Sequence, residues 1–382
     1  MGHHCGADPF VIWTVKDVEC MKIGIITHHY IKNYGAFLQT YALQQYLTEN
    51  YPDAEVVIVN YVKRKHQIIN IGGCFRFFWK KESIGAYLEK IKIPGTFSRA
   101  EKQYLHITKK VKNAEEINAL GLDAIIIGSD EVWHYEDKAA SPIKFAMGLR
   151  CDRIISYAPS CGGVDLSHGI PEYVKEGLKN FTSLSARDDL SEKLVKKVLG
   201  VQPVRVLDPT LLYDFPVYED AFTKRLKSEK YILMYFCDKL PKEGQDIIIA
   251  YAKKKNWKIY GAGEYAKFYS DVTINVSPFQ WVEMFRNAQF VFTGTFHGVV
   301  FSLITQRNFG AYVTNPSRVK KVNSLLGEFG LSKRIFKEEE MENMEELLET
   351  SIDYSAFNEQ KAKVRKSSYE FLEKALFGEE NY

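Results

Sequence analysis

The sequence predicts an α/β protein made of two facing Rossmann-like domains with a cleft between them. Short runs rich in β-branched residues alternate with helical patterns, and the alternation starts again after a crossing segment at residues 211–229. Glycine and polar residues follow most of the predicted strands. Because open parallel sheets bind ligands at the carboxyl ends of their strands, we expect the functional residues to lie at these endings.

Length and composition restrict the class of protein. The 382 residues are enough for about two domains, and 46% hydrophobic with 26% charged residues is typical of a globular protein. The net charge of +3 disfavours a dedicated nucleic-acid binder. Six cysteines without CxxC spacing predict neither a metal site nor a disulfide framework and favour a reducing, cytoplasmic location. No apolar run approaches the roughly 20 residues that span a bilayer.

The changes of pattern divide the chain into four parts. We expect residues 1–20 to be a poorly ordered extension, residues 21–212 to form the first Rossmann-like domain and residues 213–340 to form the second. Helical patterns fill residues 341–382, and we expect these closing helices to pack back on the first domain.

A basic helical insertion is predicted in the first domain at about residues 63–113. Residues 63–112 contain 13 Lys or Arg and three Asp or Glu, a local net charge of +10 that leaves −7 for the rest of the chain. Aromatic residues such as Phe75 and Trp79 are interleaved with the basic ones. This composition favours a surface for polyanions, lipid headgroups or a phosphorylated acceptor. The alternative is a solvated basic face on helices that cover the sheet.

We predict strands of the first domain at residues 22–27, 55–61, 122–127, 153–158, 181–186 and 204–207. The first strand leads to a loop with Asn33 and Gly35, after which a helix begins. The loop lacks the GxGxxG and GxxxxGK(S/T) spacings, which disfavours a dinucleotide or P-loop site. Its helix start could hold a phosphate or carboxylate, or the loop is a simple connection.

Charged and aromatic residues follow the later strands of this domain. After the third strand, Asp130 can accept from sugar hydroxyls or orient a catalytic group, and Trp133 can stack on a ring; Asp130 could equally be a helix N-cap. Ser160 and two glycines follow the fourth strand and imply a close backbone approach. Arg187 follows the fifth strand and could clamp an anion, or pair with the acidic residues beside it.

We predict strands of the second domain at residues 231–237, 258–260, 272–276, 289–293 and 309–313, and helices at 242–255, 338–350 and 353–377. Between the fourth of these strands and the next helix lies the sequence Gly-Thr-Phe-His-Gly, in which Thr293 or Thr295 can cap the helix. His297 would then lie in the first turn, where it can move a proton near neutral pH beside an anionic substrate. The alternative is a His that only hydrogen-bonds the turn. Arg318, early in a later helix, could face the same cleft.

Five motifs occur in the order found in polysaccharide pyruvyl transferases, a family that the chain resembles: Asn33–Gln39, Gly128–Trp133, Ser185–Asp188, Leu207–Leu211 and Thr293–Gly298. The resemblance implies a GT-B-like fold and transfer of the enolpyruvyl unit of phosphoenolpyruvate to two hydroxyls of a sugar, with no metal or other cofactor. It makes His297 the central acid and base, Arg187 the holder of a donor anion and Asp130 an assisting residue. The remaining substrate-binding residues that we expect are Asn33, Gly35, Gln39, Ser129, Trp133, Ser160, Thr295, Gly298 and Arg318.

One position departs from the family pattern. The best-studied members have an Arg two residues before the catalytic His, and here that position is Thr295. Arg318 or the basic insertion could replace the missing charge, or the donor could differ.

Three functional hypotheses follow. The first is a pyruvyl transferase that modifies a cell-surface polysaccharide, such as an exopolysaccharide or capsule, or its lipid-linked precursor at the inner face of the cytoplasmic membrane. The second is a GT-B glycosyltransferase that uses a nucleotide sugar, for which we find no convincing ribose-binding carboxylate near residues 261–264. The third is a non-catalytic scaffold that binds sugar or lipid phosphates.

Overall fold

The structure of the chain is a computed structural model that describes residues 21–77, 83–236 and 240–378. The predicted extension at residues 1–20 lies outside the described residues, as does part of the basic insertion. The strands within these ranges are β1 Lys22–Ile26, β2 Glu55–Tyr61, β3 Ile107–Val111, β4 Ala124–Asp130, β5 Arg153–Pro159, β6 Ser185–Ala186, β7 Val204–Arg205, β8 Tyr231–Tyr235, β9 Lys258–Gly261, β10 Phe290–Thr293 and β11 Asn308–Ala311.

Helices cover the faces of the sheets and connect most of their strands. The α-helices are α1 Tyr34–Asn50, α2 Arg64–Cys74, α3 Ile84–Lys90, α4 Ile93–Tyr104, α5 Ala114–Asn118, α6 Glu172–Leu178, α7 Asp189–Leu199, α8 Pro209–Leu212, α9 Ala221–Ser228, α10 Lys242–Lys255, α11 Pro278–Asn287, α12 Phe296–Ile304, α13 Pro316–Glu328, α14 Met344–Glu349 and α15 Ser355–Phe377. Among the described helices, none combines the length and apolarity needed to cross a bilayer.

The first sheet has the strand order β3-β2-β1-β4-β5, and every pair in it is parallel. Consecutive residues of a central strand pack into cores on opposite faces, as Ile125 and Ile126 of β4 do. Burial on both faces explains why these strands are continuous runs of β-branched residues. The carboxyl ends of β1 and β4 are neighbours, so the segments that follow them open at the same edge.

The second sheet has the order β11-β10-β8-β9 and is also fully parallel. The prediction of a strand at residues 272–276 is wrong, because this segment is a loop. The segment packs against β9 without pairing its backbone with any described strand. The Thr273 hydroxyl instead donates to the carbonyl of Gly261 at 2.5 Å. The strand predicted at 181–186 is likewise reduced to β6, which pairs with β7 in a two-stranded sheet.

Aromatic side chains join the two domains beside the cleft. Tyr34, the first residue of α1, stacks on Trp281 of α11 with ring centres 5.2 Å apart. Its hydroxyl donates to the carbonyl of Val276 at 3.1 Å. Gly263 has φ +75°, and a Cβ there would come within 2.7 Å of the Tyr34 hydroxyl. A buried, close-packed contact of this kind fixes the start of α1 against the second domain.

The closing helices divide between the domains. The side chains of Met344 and Leu348 in α14 belong to the core beneath β8 and β10, so the expectation that all of 341–382 packs on the first domain is wrong for this helix. Helix α15 returns to the first domain, where the hydroxyl of Ser368 accepts from the backbone N–H of Leu207 at 2.9 Å. In the chain, α14 lies nearer to β11, an edge strand of the second sheet, than to any strand of the first domain, which explains why it packs on the second domain.

Candidate active site

A cavity of about 270 Å³ opens between the domains at the carboxyl ends of β1, β4 and β10. A larger hollow of about 510 Å³ lies among residues 330–353, away from these strand ends, and we do not assign chemistry to it. The residues that line the interdomain cavity are His28, Ile31, Asn33, Ala36, His66, Asp130, Glu131, His134, Asp137, Arg187, Tyr235, Phe236, Thr295, Phe296, His297, Arg318 and Lys321.

His297 lies in the first turn of α12, as the sequence predicts. The N-cap is Thr295, whose hydroxyl accepts from the backbone N–H of Gly298 at 3.0 Å. The imidazole packs directly on Gly35: a Cβ at that position would come within 2.7 Å of Cε1 and closer still to Nδ1 and Cγ. Gly35 therefore admits the His297 ring, and its expected role in contacting substrate is replaced by this packing role.

The environment of His297 favours a neutral imidazole. Its Nε2 is shielded from solvent and has no hydrogen-bond partner among the described residues. Burial lowers the pKa of His297 below 6.5, although the carboxylates of Asp208 and Asp130 oppose the shift. A neutral ring with an unpartnered nitrogen is equipped to take up a proton from a bound group.

Arg187 is held by two carboxylates. Its side chain is 5% exposed and pairs with Asp208, while its second terminal nitrogen is 3.5 Å from Oδ1 of Asp130. The guanidinium also lies 5.0 Å from the ring centre of Phe296. Burial opposes the charge, but the two carboxylates outweigh it and raise the pKa of Arg187. The expectation of a free anion clamp is therefore corrected, since much of its charge is already neutralised.

Asp208 connects this pair to His297. One carboxylate oxygen caps α8 by accepting from the backbone N–H of Thr210 at 3.0 Å, and the other binds Arg187. Burial would raise the pKa of Asp208, but Arg187 and then His297 lower it, so the group is a carboxylate at neutral pH. The sequence placed Asp208 within a family motif without giving it a role. Its contact with Arg187 joins distant parts of the chain and could not be read from spacing.

Asp130 faces the cavity from the end of β4. Its φ is +71° and no helix follows, so the alternative reading of an N-cap is wrong. Its Oδ2 lies 4.0 Å from Nδ1 of His28, which follows β1. His28, His66 and His134 join His297 in the cavity wall, and the sequence analysis assigned none of these three to the site. The position of His28 just after a buried strand was the available signal.

Besides Gly35, five predicted binding residues lie behind the cavity wall instead of in it. Trp133 is fully buried, its indole N–H donates to the carbonyl of Lys144 at 3.0 Å, and its ring stacks on Phe145. It cannot stack on a sugar. Gln39 is also fully buried and donates to the hydroxyl of Thr27 at 3.0 Å. The sequence predicted both as binding residues because one is aromatic and the other polar. Their burial depends on contacts between separate segments, which the sequence does not show.

The other three support neighbouring groups. The hydroxyl of Ser129 accepts from Arg187 at 3.2 Å. The hydroxyl of Ser160 accepts from the backbone N–H of Gly162 at 3.1 Å and is buried. Gly298 lies against the side chain of Thr293, where a Cβ would overlap the hydroxyl. These residues shape the site without lining it.

Three helices begin at the cavity. Asn33 caps α1, Thr295 caps α12 and Asn315 caps α13, and each accepts a hydrogen bond from a first-turn N–H. Arg318 in the first turn of α13 lines the cavity as predicted, with Lys321 one turn further on, where it pairs with Glu131. Converging helix N-termini and a cationic side chain create a positive potential that suits a phosphate or carboxylate.

The family model described as polysaccharide pyruvyl transferase matches residues 33–315, from the cap of α1 to the cap of α13. The chain belongs to the polysaccharide pyruvyl transferase family. The matched range includes His297, Arg187 and Asp130 with the strand ends that carry them. This is a family of transferases, and their reactions involve a donor and a saccharide acceptor.

Comparison with solved structures shows the fold. A structure of MnaA from S. aureus with UDP is 10% identical, with a TM-score of 0.51 over 94% of this chain and 98% of that one. A putative UDP-N-acetylglucosamine 2-epimerase from Listeria monocytogenes is 11% identical, with a TM-score of 0.49 over 95% and 98% of the two chains. The search of curated proteins finds no match. With the match to MnaA, the two parallel α/β domains form a GT-B-like fold, as the sequence predicted.

Proposed function

We propose that the protein transfers the pyruvyl unit of phosphoenolpyruvate to two hydroxyls of a sugar, forming a ketal on a cell-surface polysaccharide or its lipid-linked precursor. One observation carries the proposal: His297, whose pKa is lowered and whose Nε2 is unpartnered among the described residues, lines a cavity where three helix N-termini favour an anion. The family match supports a transferase that uses a saccharide acceptor, and the donor and the ketal product are our proposal.

The reaction needs few groups. His297 takes the proton of the first sugar hydroxyl as its oxygen bonds to C2 of the donor, and it returns this proton to C3, which becomes the methyl group. The second hydroxyl then bonds to the same carbon, the C2–O bond to phosphate breaks, and phosphate leaves with the second proton. Atoms balance without an oxidant or a cofactor. His297 can alternate between base and acid in these steps because one imidazole nitrogen both accepts and returns a proton.

The acidic groups around His297 have a separate task. Positive charge develops at C2 of the donor when C3 is protonated, and the carboxylate of Asp130 faces the cavity where it can stabilise that charge. Asp208, behind Arg187, stabilises the imidazolium form of His297. Arg187 is in this account a positioning residue that keeps both carboxylates in place. The cavity volume of about 270 Å³ suits a three-carbon donor better than a nucleotide sugar.

The missing family Arg has a candidate replacement. Thr295 supplies the cap of α12 and lines the cavity but brings no charge. Arg318 lines the same cavity and is placed by the cap of Asn315 on its backbone N–H at 3.1 Å. We propose that Arg318 binds the carboxylate or phosphate that the family Arg would bind. The variant Arg318→Met should have a higher KM for phosphoenolpyruvate and a kcat that is little changed.

Phosphate release tests the proposal. Purified protein with phosphoenolpyruvate and a panel of saccharide acceptors should release inorganic phosphate only when an acceptor is present. The variant His297→Ala should lose this activity, whereas Lys109→Ala, an exposed position on β3, should retain it. Release that is unchanged in His297→Ala would remove this residue from the mechanism.

The glycosyltransferase alternative is separated by ligand stabilisation. The acidic residue closest in sequence to the end of β9, Glu264, already accepts from the backbone N–H of Phe236 at 2.6 Å and from the hydroxyl of Tyr269 at 2.6 Å. It therefore suits a structural role more than ribose binding. Phosphoenolpyruvate should raise the melting temperature more than UDP-sugars or GDP-sugars do. Stabilisation by a nucleotide sugar, together with its turnover, would support the alternative. Stabilisation without turnover of any donor would indicate a binding scaffold.

We propose that the basic insertion brings the site to a membrane that carries the acceptor. Helix α2 has no buried residue, and its His66 lines the cavity while Ile68 and Ile69 are 59% and 47% exposed. Ile84 at 71% and Leu88 at 50% add exposed apolar area on α3. Apolar residues among basic ones suit an anionic lipid surface.

Vesicle sedimentation tests this placement. The protein should bind vesicles containing an anionic phospholipid more than neutral vesicles, and the double change Ile68→Ser with Ile84→Ser should reduce binding. Val217→Ser is the control, because Val217 is 57% exposed outside the insertion. Equal binding by all three proteins would contradict the proposal.

A further inference from the structure

A buried lysine lies beneath the cavity without an acidic contact. Lys144 is 1% exposed, and among the described residues no carboxylate oxygen lies within 4 Å of its Nζ. Its Nζ donates to the carbonyl of Ala139 at 3.1 Å and contacts Nε2 of His28. Burial and then Lys63 lower the pKa of Lys144 from 10.5 to about 7, although Asp130 and Asp137 act in the opposite direction.

His28 links this lysine to the cavity. It lines the cavity wall, whereas Lys144 lies behind it. When the ammonium of Lys144 donates to Nε2, the proton of a neutral imidazole must be on Nδ1. That nitrogen lies 4.0 Å from Oδ2 of Asp130, too far for a hydrogen bond. His28 therefore has an N–H that is available at the cavity and is polarised by a buried cation.

A purely structural role explains these contacts poorly. Keeping an ammonium group charged out of water is costly without an opposite charge, and the lowered pKa of Lys144 reflects that cost; an anion bound beside His28 would favour the charged form. A methionine of similar length would fill the same space without that cost. The arrangement is accounted for if the compensating charge arrives with a ligand. His66 and His134 line the same cavity, with the ring centres of His28 and His66 5.8 Å apart.

We infer that His28, polarised by Lys144, forms the subsite that binds the phosphate group of the donor. The assignment rests on the proposed function for the identity of the donor, but binding of a phosphate anion at this place does not require turnover. It also resolves the charge problem at Arg187, which is neutralised by its two carboxylates and so is a weak candidate for this task. His28 contacts the phosphate in this account, and Lys144 is a positioning residue that acts through it.

Two variants test the subsite against a structural role. Lys144→Met removes the buried charge and keeps the volume. His28→Gln places an amide oxygen where Nε2 was, so Lys144 keeps an acceptor, but it removes the Nδ1–H donor. The control is Lys138→Met, an exposed lysine nearby in the chain. Affinity for inorganic phosphate is measured by calorimetry at pH 6.5, and melting temperature is measured with and without phosphate.

We expect both variants to bind phosphate at least tenfold more weakly than wild type and Lys138→Met. The melting temperature of ligand-free Lys144→Met should be unchanged or higher, because a buried charge has been removed, and its phosphate-induced shift should be smaller. In turnover with phosphoenolpyruvate, KM should rise at least tenfold with kcat within about threefold of wild type.

Other outcomes overturn the inference or the function separately. Equal phosphate affinity in wild type and both variants overturns the subsite, even if phosphoenolpyruvate is turned over normally. Phosphate binding that depends on His28 and Lys144, in a protein that never turns over phosphoenolpyruvate, supports the subsite and overturns the proposed donor. A Lys144→Met protein that does not fold would indicate a structural role for Lys144, and normal phosphate binding by His28→Gln would then overturn the subsite.

Discussion

Gly35→Ala tests whether the position of His297 controls the reaction. The new Cβ would come within 2.7 Å of Cε1 of the imidazole, at least about 0.7 Å inside the 3.4 Å of ordinary van der Waals contact. Because the start of α1 is fixed by Tyr34 against the second domain, the ring must move rather than the helix. The substitution adds one methyl group and leaves every proposed catalytic side chain in the chain.

A shift of this size should be expensive for catalysis. Displacement of a reacting group by about 1 Å can cost about 100-fold in rate, which corresponds to about 2.7 kcal/mol in the activation barrier. We therefore expect kcat for phosphate release to fall by about 100-fold. Stability should change less, because Ala favours a helix over Gly by up to about 1 kcal/mol and offsets part of the overlap.

Gly85→Ala is the matched control. Gly85 is the second residue of α3 as Gly35 is of α1, but a Cβ there would meet nothing closer than the Ser83 hydroxyl at 3.9 Å. The control should keep wild-type kcat. A Gly35→Ala enzyme with wild-type kcat would refute the reasoning, since the imidazole could then move without consequence.

Three further perturbations have expected outcomes. Asp208→Asn leaves the buried Arg187 with Asp130 as its remaining acidic contact, so urea unfolding should show a loss of about 3 kcal/mol, together with loss of turnover; unchanged stability would contradict the pairing. Burial lowers the pKa of His29 to about 4 from 6.5, so the unfolded state binds the extra proton and stability falls as pH drops from 6.5 to 4, by about 3 kcal/mol in total. His29→Gln should flatten that limb of the stability profile, and an unchanged limb would exclude His29 as its source. Because burial lowers the pKa of His297, kcat/KM should fall to half of its plateau value at a pH below 6.5, whereas a half-maximal value at a pH above 6.5 would contradict a neutral base with a lowered pKa.

The sequence was sufficient where the pattern is local. The bounds predicted for β2 and α10 agree with the structure, and the turn that places His297 after β10 follows from its glycines and Thr cap. These elements depend on neighbouring residues, through strand alternation and helix capping.

The sequence was insufficient where contacts between distant segments decide which side chains are buried. Trp133 and Gln39 looked like site residues, but packing from other segments buries both. Conversely, Lys144 and His28 meet only because β1 and the segment after β4 are brought together. Gly35 was read as part of a loop that either holds an anion or only connects, yet the side chain of His297 from the other domain packs on it. Pairings of this kind have no signal in spacing or composition.

The most direct measurement follows the proton that the mechanism adds to the donor. Phosphoenolpyruvate labelled with carbon-13 at C3 is incubated in D₂O with the protein and a saccharide acceptor, and the product is examined by carbon NMR. The account predicts a ketal methyl group that carries one deuterium in the wild-type product and no ketal product with His297→Ala. Formation of the ketal at the same rate by His297→Ala would contradict it.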